Sequence, residues 1–299
     1  MLRYRADIRT LAYLAVTAAL SVVQWNLGYI HPVLFPLSLF LGVATAVISH
    51  NHNHLGIWKN RTANLVTSYV ISLYYGYPAI GWVPTHNQTH HKLNNRVGDT
   101  SYAPKVFKSN HLFALLIYPT LTGMAQSKEI AAFIKDLWRR DKRAFFEAVT
   151  QYVVFFGVMV GLFLIDWKKA LLFFVIPQQF ALFMIQVFNY VQHIEANADS
   201  KWNHSRNFIS PVLNALLFNN GYHTVHHFKP GVHWSQTPAL HAEHAHKIHP
   251  LLLQKSWWGY MAYTFLVRPF IPGAHHPALP DSGGGTVETA GNPPVQPAT

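Results

Sequence analysis

Three histidine clusters carry the densest chemistry in this 299-residue chain: His50-Asn51-His52-Asn53-His54, His86-Asn87-Gln88-Thr89-His90-His91 and His223-Thr224-Val225-His226-His227. Residues three and four apart share a face of an α-helix. In helical segments His50 therefore sits above His54, His86 above His90 with His91 beside it, and His223 above His226 and His227. Each helix end presents two or three imidazoles in one direction, which a metal ion needs and which packing alone has no reason to repeat. A further pair, Asn189 and His193, places an amide and an imidazole four residues apart.

Imidazole suits zinc, copper, iron and nickel, and His50, His54, His86, His90, His91, His193, His223, His226 and His227 exceed the needs of a single ion. Two ions with about four or five ligands each is the natural count. His52 lies two residues off the His50/His54 face and is expected not to ligate. His233 is expected in a turn, and His241, His244, His246 and His249 on a solvated helix face. His31 falls at the opposite end of the elements, and His111, His204, His275 and His276 show no partner pattern. With no cysteine, the chain has no disulfide, thiolate zinc site, iron-sulfur cluster or cysteine nucleophile.

The elements that must position these imidazoles are apolar. Half of the residues are hydrophobic and only 12% are charged, about half the ~25% of a soluble domain. Lys and Arg number 23 against 12 Asp and Glu, a net charge of +11, but the basic residues are separated by long charge-free stretches, which argues against a nucleic-acid partner. About 20 apolar residues cross a ~30 Å hydrocarbon core. Four such spans are expected, at about 10–29, 32–49, 148–165 and 170–191, paired as two hairpins with turns at Gly28 to Pro32 and Asp166 to Lys169. The first span runs into the second without a cleavage site, so a cleavable signal peptide is not expected.

Only Lys168 and Lys169 fall on the far side of these hairpins, leaving 21 of the 23 basic residues on the other, cytoplasmic, side. The charge-free stretch from Thr62 to Pro84 is rich in Tyr and Trp and interrupted by Gly76 and Pro78, which suits an interfacial or re-entrant segment. Segments His111 to Met124 and Ser256 to Phe270 read as interfacial helices. If Thr62 to Pro84 does not cross, all the histidine clusters share the cytoplasmic side. The fold expected is thus an all-α, multi-pass integral membrane protein, with a four-helix membrane domain and cytoplasmic helical cap over 1–273 and a disordered Gly/Pro-rich tail over 274–299.

The ordered spacings HxxxH, HxxxHH and HxxHH between hydrophobic hairpins, with NxxxH closing the fourth span, resemble the membrane fatty acid desaturase family over roughly residues 10 to 270. The resemblance implies that the histidines His50, His54, His86, His90, His91, His193, His223, His226 and His227 ligate two irons, with Asn189 holding an iron-bound water. It further implies O2 as co-substrate and a fatty acyl or related lipid chain, free or as a thioester, as substrate. Members often carry an acidic residue after the first histidine, where this chain has Asn51. If that acid orients a ligand, the role passes here to another group, with Asp99, Glu195 and Asp199 as candidates.

Desaturation is the expected outcome, with hydroxylation at the same metal site as the alternative and a non-catalytic metal transporter as a remote one. The span interiors lack His, Asp and Glu, which a transport path would need. No GxGxxG or His-Pro-Gly-Gly haem signature is present. Electrons are therefore expected from an external donor of ferredoxin, rubredoxin or cytochrome b5 type.

Overall fold

A computed structural model describes residues 1–105 and 110–271. The tail expected over 274–299, with His275 and His276, lies outside the described residues. The chain divides into two compact units, residues 1–87 with 127–185, and residues 88–126 with 186 onward.

In the first unit, α1 (Asp7–Leu27) and α2 (Leu34–His54) are each 21 residues long, joined where Gly28 takes a left-handed φ of 73°. They match the first two expected spans. The side chains of α1 are arranged inside out relative to a soluble helix: Thr10, Thr17, Ser21 and Gln24 are buried, while Val16, Val22 and Val23 are exposed. Thr17 and Ser21 donate their hydroxyls to the carbonyls one turn back, at 2.7 and 2.9 Å, so their burial leaves no donor stranded. An apolar exterior around a polar interior is the surface that lipid solvates. α2 is the more enclosed helix. A Cβ at its Gly42 would lie 3.1 Å from the Pro177 carbonyl oxygen, so α2 and the helix that begins at Ile176 meet backbone to backbone there.

α3 (Arg61–Tyr75) begins at Asn60, whose Oδ1 accepts from Ala63 N at 2.9 Å, and ends at Gly76 with φ 96°. Its 15 residues rise only ~22 Å, short of a ~30 Å hydrocarbon core, so the Thr62 to Pro84 stretch is not one spanning helix. Arg61 clamps Glu147 with three contacts of 2.7 to 3.2 Å, fastening the start of α3 to the helix that begins at Lys142. After a 3-10 turn, Ala79–Gly81, comes a π-helix, Val83–His90, and then a single turn, α4 (His91–Leu93).

The segment read as ending at Met124 is longer than expected: α5 runs from Leu112 to Arg140 with Pro119 inside it. It is divided between the two units, as is α7 (Ile176–His193). α6 (Lys142–Ala170) is interrupted at Asp166, where the backbone is extended (φ −158°, ψ 98°) and the carboxylate accepts from the amides of Lys168 and Lys169 at 3.1 Å each. Met159 Sδ and Gln178 Nε2 lie 3.5 Å apart although 19 residues separate them. A straight helix would hold them ~28 Å apart, so the chain doubles back at the turn read from the sequence. Phe155 and Met159 pack on Phe173 and Phe174 across this fold.

Among the described residues, three helices are long and apolar enough to cross a membrane: Asp7–Leu27, Leu34–His54 and the 52-residue stretch Lys142–His193 that contains the break. The protein is therefore all-α, with candidate membrane helices in place of the four separate spans expected.

The second unit is built from short elements. After α7 a loop leads to β1 (Asn207–Phe208), α8 (Pro211–Leu216), α9 (His223–Phe228) and α10 (Thr237–His244). β2 (Leu253–Gln254) pairs in parallel with β1, and α11 (Trp257–Ala262) continues into a π turn and a 3-10 turn ending at Phe270. Trp258, Leu266 and Phe270 are exposed, as befits the interfacial segment expected there.

Candidate metal centre

In the first unit α2 remains helical through its cluster, so His50 and His54 stand one turn apart with ring centroids at 4.9 Å. The π-helix brings His86 against both, its Nε2 2.9 Å from His50 Nε2 and its ring 5.1 Å from that of His54. The ligand atoms of these three residues all lie within 4.8 Å of one another. Trp82 packs edge-on against His50 and His86 at 5.3 and 5.0 Å, an indole wall that keeps water from them. His50 Nδ1 donates to Asn51 Oδ1 at 3.1 Å. The amide at the departure from the family pattern thus orients His50 itself, and the role need not pass elsewhere.

His52 points away, as expected. Its Nε2 faces Ser68 Oγ at 3.1 Å and the Asn64 carbonyl at 3.3 Å, clasping the end of α2 to α3.

In the second unit His90, His193, His223 and His227 form a four-imidazole group whose ligand atoms lie within 4.8 Å of one another. His193 Nε2 is 3.1 Å from His90 Nε2 and 2.9 Å from His223 Nε2, and His227 Nε2 is 3.2 Å from His223 Nε2. His90 and His193 are fully buried. His91 and His226 meet separately, Nε2 to Nε2 at 3.0 Å, with His91 stacked on His227 at 4.4 Å.

The clusters therefore do not act as whole faces. In box three the one-turn pair His223/His227 goes to the group of four, whereas His226 turns to His91. In box two, His86 joins His50 and His54 whereas His90 joins the group of four, contrary to the shared face expected. His86 and His90 both lie on the π-helix Val83–His90, yet they serve different groups.

The tautomers of the second-unit group suit a cation. His193 Nδ1 donates to the His204 carbonyl at 3.3 Å, and His90 Nδ1 to Asp99 Oδ2 at 2.7 Å, since neither acceptor has a proton to give. In the tautomer with the proton on Nδ1, Nε2 of each ring carries a lone pair, and two lone pairs 3.1 Å apart are relieved by a positive ion bound to both. Burial, then neighbouring imidazoles, hold His227 well below the usual histidine range, so it stays neutral and available as a ligand. Two groups of imidazoles so arranged are consistent with a di-metal site.

Asp99 is one of the three carboxylates weighed from the sequence, and its Oδ2 reaches the candidate ligand His90. Burial pushes its pKa up, but the His90 imidazole and the amides of Ser101 (2.7 Å) and Asn95 (3.0 Å) outweigh that and hold it below the ordinary carboxylate range. Glu195 pairs with Arg268 at 3.0 Å and Asp199 with Arg96 at 2.7 Å. Asn189 donates Nδ2 to Tyr118 Oη at 2.7 Å, and that phenol donates to the Ser101 carbonyl at 2.6 Å. The residue expected to hold a metal-bound water is thereby tied to the loop that carries Asp99.

Other histidines correct the sequence reading. His241 and His244 are buried, against Tyr222 at 4.7 Å and Trp202 at 4.7 Å, instead of lying on a solvated face. His233 sits in a turn as expected, Nδ1 2.8 Å from Ser235 Oγ. His204, given no role, is buried with its ring 5.2 Å from that of His227, and burial lowers its pKa to about 3. Nothing in its spacing signals this, because a loop and not a helix carries it there.

Neither the curated proteins nor the solved structures compared with this chain provide a match. The family model for fatty acid desaturases matches residues 11–263, from the start of α1 to the turn after α11 and across every histidine cluster. By that match and the convergence of its histidines, the chain belongs to the fatty acid desaturase family, whose members are oxidoreductases.

Proposed function

We propose that this protein is an O2-dependent di-iron desaturase that introduces a double bond into a fatty acyl or related lipid chain. The observation that carries the proposal is the buried group His90, His193, His223 and His227, with Nε2 lone pairs facing one another and Nδ1 protons directed outward to Asp99 and the His204 carbonyl. Family membership supplies the preference for iron and for a lipid substrate.

In this reading the group of four holds one ion. His50, His54 and His86 contribute ligands to the other, and His91 and His226 are further candidate ligands. When bound, iron supplies the redox chemistry that O2 activation and cleavage of an unactivated C–H bond require. The chain's own residues orient and shield it: Asn51, Asp99 and the His204 carbonyl fix ring rotation, Trp82 excludes water, and Asn189, steadied by Tyr118, is placed to hold a water. The reaction removes two hydrogens from neighbouring carbons and, with two electrons and two protons, reduces O2 to two waters. With no cysteine or cofactor motif of its own, the chain takes those electrons from a ferredoxin, rubredoxin or cytochrome b5 type donor.

We also propose that the Lys142–His193 stretch, folded back at Asp166, crosses the membrane twice, making four spans in two hairpins over a membrane domain of residues 1–273. The 21 basic residues opposite Lys168 and Lys169 put the histidines on the cytoplasmic side.

The test supplies purified, iron-loaded protein with donor, O2 and acyl substrates and weighs the products. A loss of two hydrogens is expected. A gain of one oxygen without that loss would replace desaturation with hydroxylation, and turnover with zinc alone would overturn both.

A further inference from the structure

The loop after α7 is the most heavily buried polar segment of the second unit. Ser205 and Asn207 are fully buried, and Arg206 is only 2% exposed. None of the three belongs to a histidine cluster or recognisable motif. Buried polar groups are costly unless satisfied, and apart from the Arg206 Nε, which has no hydrogen-bond partner, these are satisfied in two directions. Toward α7, the Arg206 guanidinium donates to the carbonyls of Val191 and, at 3.1 Å, Ile194, while Arg206 N donates to the Gln192 carbonyl at 2.6 Å. The side-chain partners of Arg206 are carbonyls and the Tyr260 ring, 4.6 Å away, instead of a carboxylate, so its positive charge lies at the negative end of the helix dipole. The adjacent His204 carbonyl accepts from His193 Nδ1.

Toward α9, Asn207 makes a paired contact with Thr224: Thr224 N donates to Asn207 Oδ1 at 3.0 Å, and Asn207 Nδ2 donates to Thr224 Oγ1 at 2.8 Å. Ser205 Oγ lies 3.0 Å from the same hydroxyl, which also donates to the Ser205 carbonyl at 3.2 Å. Phe208 N donates to the Gly221 carbonyl at 2.9 Å, and a Cβ at Gly221 would collide with the Phe208 carbonyl oxygen. One face of the loop thus grips the last turn of α7, which carries His193, and the other grips the first turn of α9, which carries His223.

We propose that His204–Phe208 is a brace that sets the separation of His193 and His223, with Arg206, Asn207 and Thr224 as positioning residues for the metal bound there. The two imidazoles come from elements 30 residues apart yet stand 2.9 Å apart at Nε2. α7 and α9 supply the rings, and the brace supplies their register. The proposal rests on the reading that this group holds one ion.

Thr224→Val removes the hydroxyl at nearly constant volume, and Thr224→Ser restores it. Two readouts are taken on full-length protein: chelator competition for bound iron, and amide hydrogen exchange across residues 222–228 in the metal-free state. Thr224→Val is expected to weaken one of two ions about 10- to 100-fold, the range for loss of a ligand-orienting partner, and to raise exchange about tenfold or more. Thr224→Ser should restore both. Thr224→Val with unchanged iron affinity overturns the proposal, as does Thr224→Ser failing as badly as Val. If the wild type takes up no iron, the metal reading fails by itself. The exchange comparison then upholds the brace if Thr224→Val raises exchange and overturns it if exchange is unchanged.

Discussion

Replacing Asp99 by asparagine keeps the shape of the side chain and removes its charge and one of its two acceptor oxygens. In the native loop Oδ2 accepts from His90 Nδ1 at 2.7 Å and from Asn95 N at 3.0 Å, while Oδ1 accepts from Ser101 N at 2.7 Å. All three donors are buried in a site where the Asp99 and His90 side chains are 0% exposed. An amide has one acceptor oxygen, so in either orientation its NH2 group confronts at least one buried N–H. A buried donor left unsatisfied costs about 1–3 kcal/mol. If that penalty appears as lost restraint on His90, iron affinity falls by about 10- to 100-fold, the range seen when a partner of a ligating histidine is removed. Chelator competition on Asp99→Asn, beside a thermal melt of the metal-free protein, measures both. The control is Asp199→Asn, whose side chain is 82% exposed and whose pairing with Arg96 contributes little. Asp99→Asn that holds iron as tightly as wild type would refute the orienting role, and the same loss in Asp199→Asn would show the effect to be general electrostatics.

His54→Ala is expected to lose one iron and all turnover, whereas His52→Ala should keep both irons while losing about 1–3 kcal/mol of stability, because only the His52 ring clasps Ser68 and Asn64; metal analysis and melts separate the two. His204 is held to a pKa of about 3 by burial first, against an ordinary 6.5. As pH falls below 6.5 the unfolded chain takes up a proton that the folded state refuses, so this contribution is present above that pH and is lost on the way down to about 3, at roughly 1.4 kcal/mol per unit. Melts of metal-free protein between pH 7.5 and 5.5 should show a shallower pH dependence in His204→Asn than in wild type; equal slopes would count against a neutral buried ring. In this cysteine-free chain, single cysteines at Lys59, Val97 and Lys229 should be labelled from one side of the membrane and one at Lys168 from the other. Labelling of Lys59 and Val97 from opposite sides would rule out a common side for the histidines.

Much of the architecture is local information. The 21-residue lengths of α1 and α2, the break at Asp166 and the short reach of α3 follow from where charges, Gly and Pro interrupt apolar runs, because hydrocarbon thickness and helix rise turn composition directly into length. The histidines were legible as candidate metal ligands for a related reason: four-residue spacing on a helix is a statement about one turn of backbone. His50 with His54, and His223 with His227, are the pairs for which that statement holds.

What the tertiary structure alone decided is how the imidazoles are shared out and what turns them. His86 and His90, four residues apart on the π-helix Val83–His90, go to different groups, and no composition rule distinguishes eight residues of π-helix from α-helix. Asp99 reaches His90 across a loop, Arg206 reaches back to the end of α7, and His204 reaches His227 from a segment with no periodicity at all. Periodicity encodes which residues share a face of one element. Which elements meet is settled by packing and by the demand that buried polar atoms find partners, and the partners of the imidazoles lie anywhere from 1 to 135 residues away in the chain.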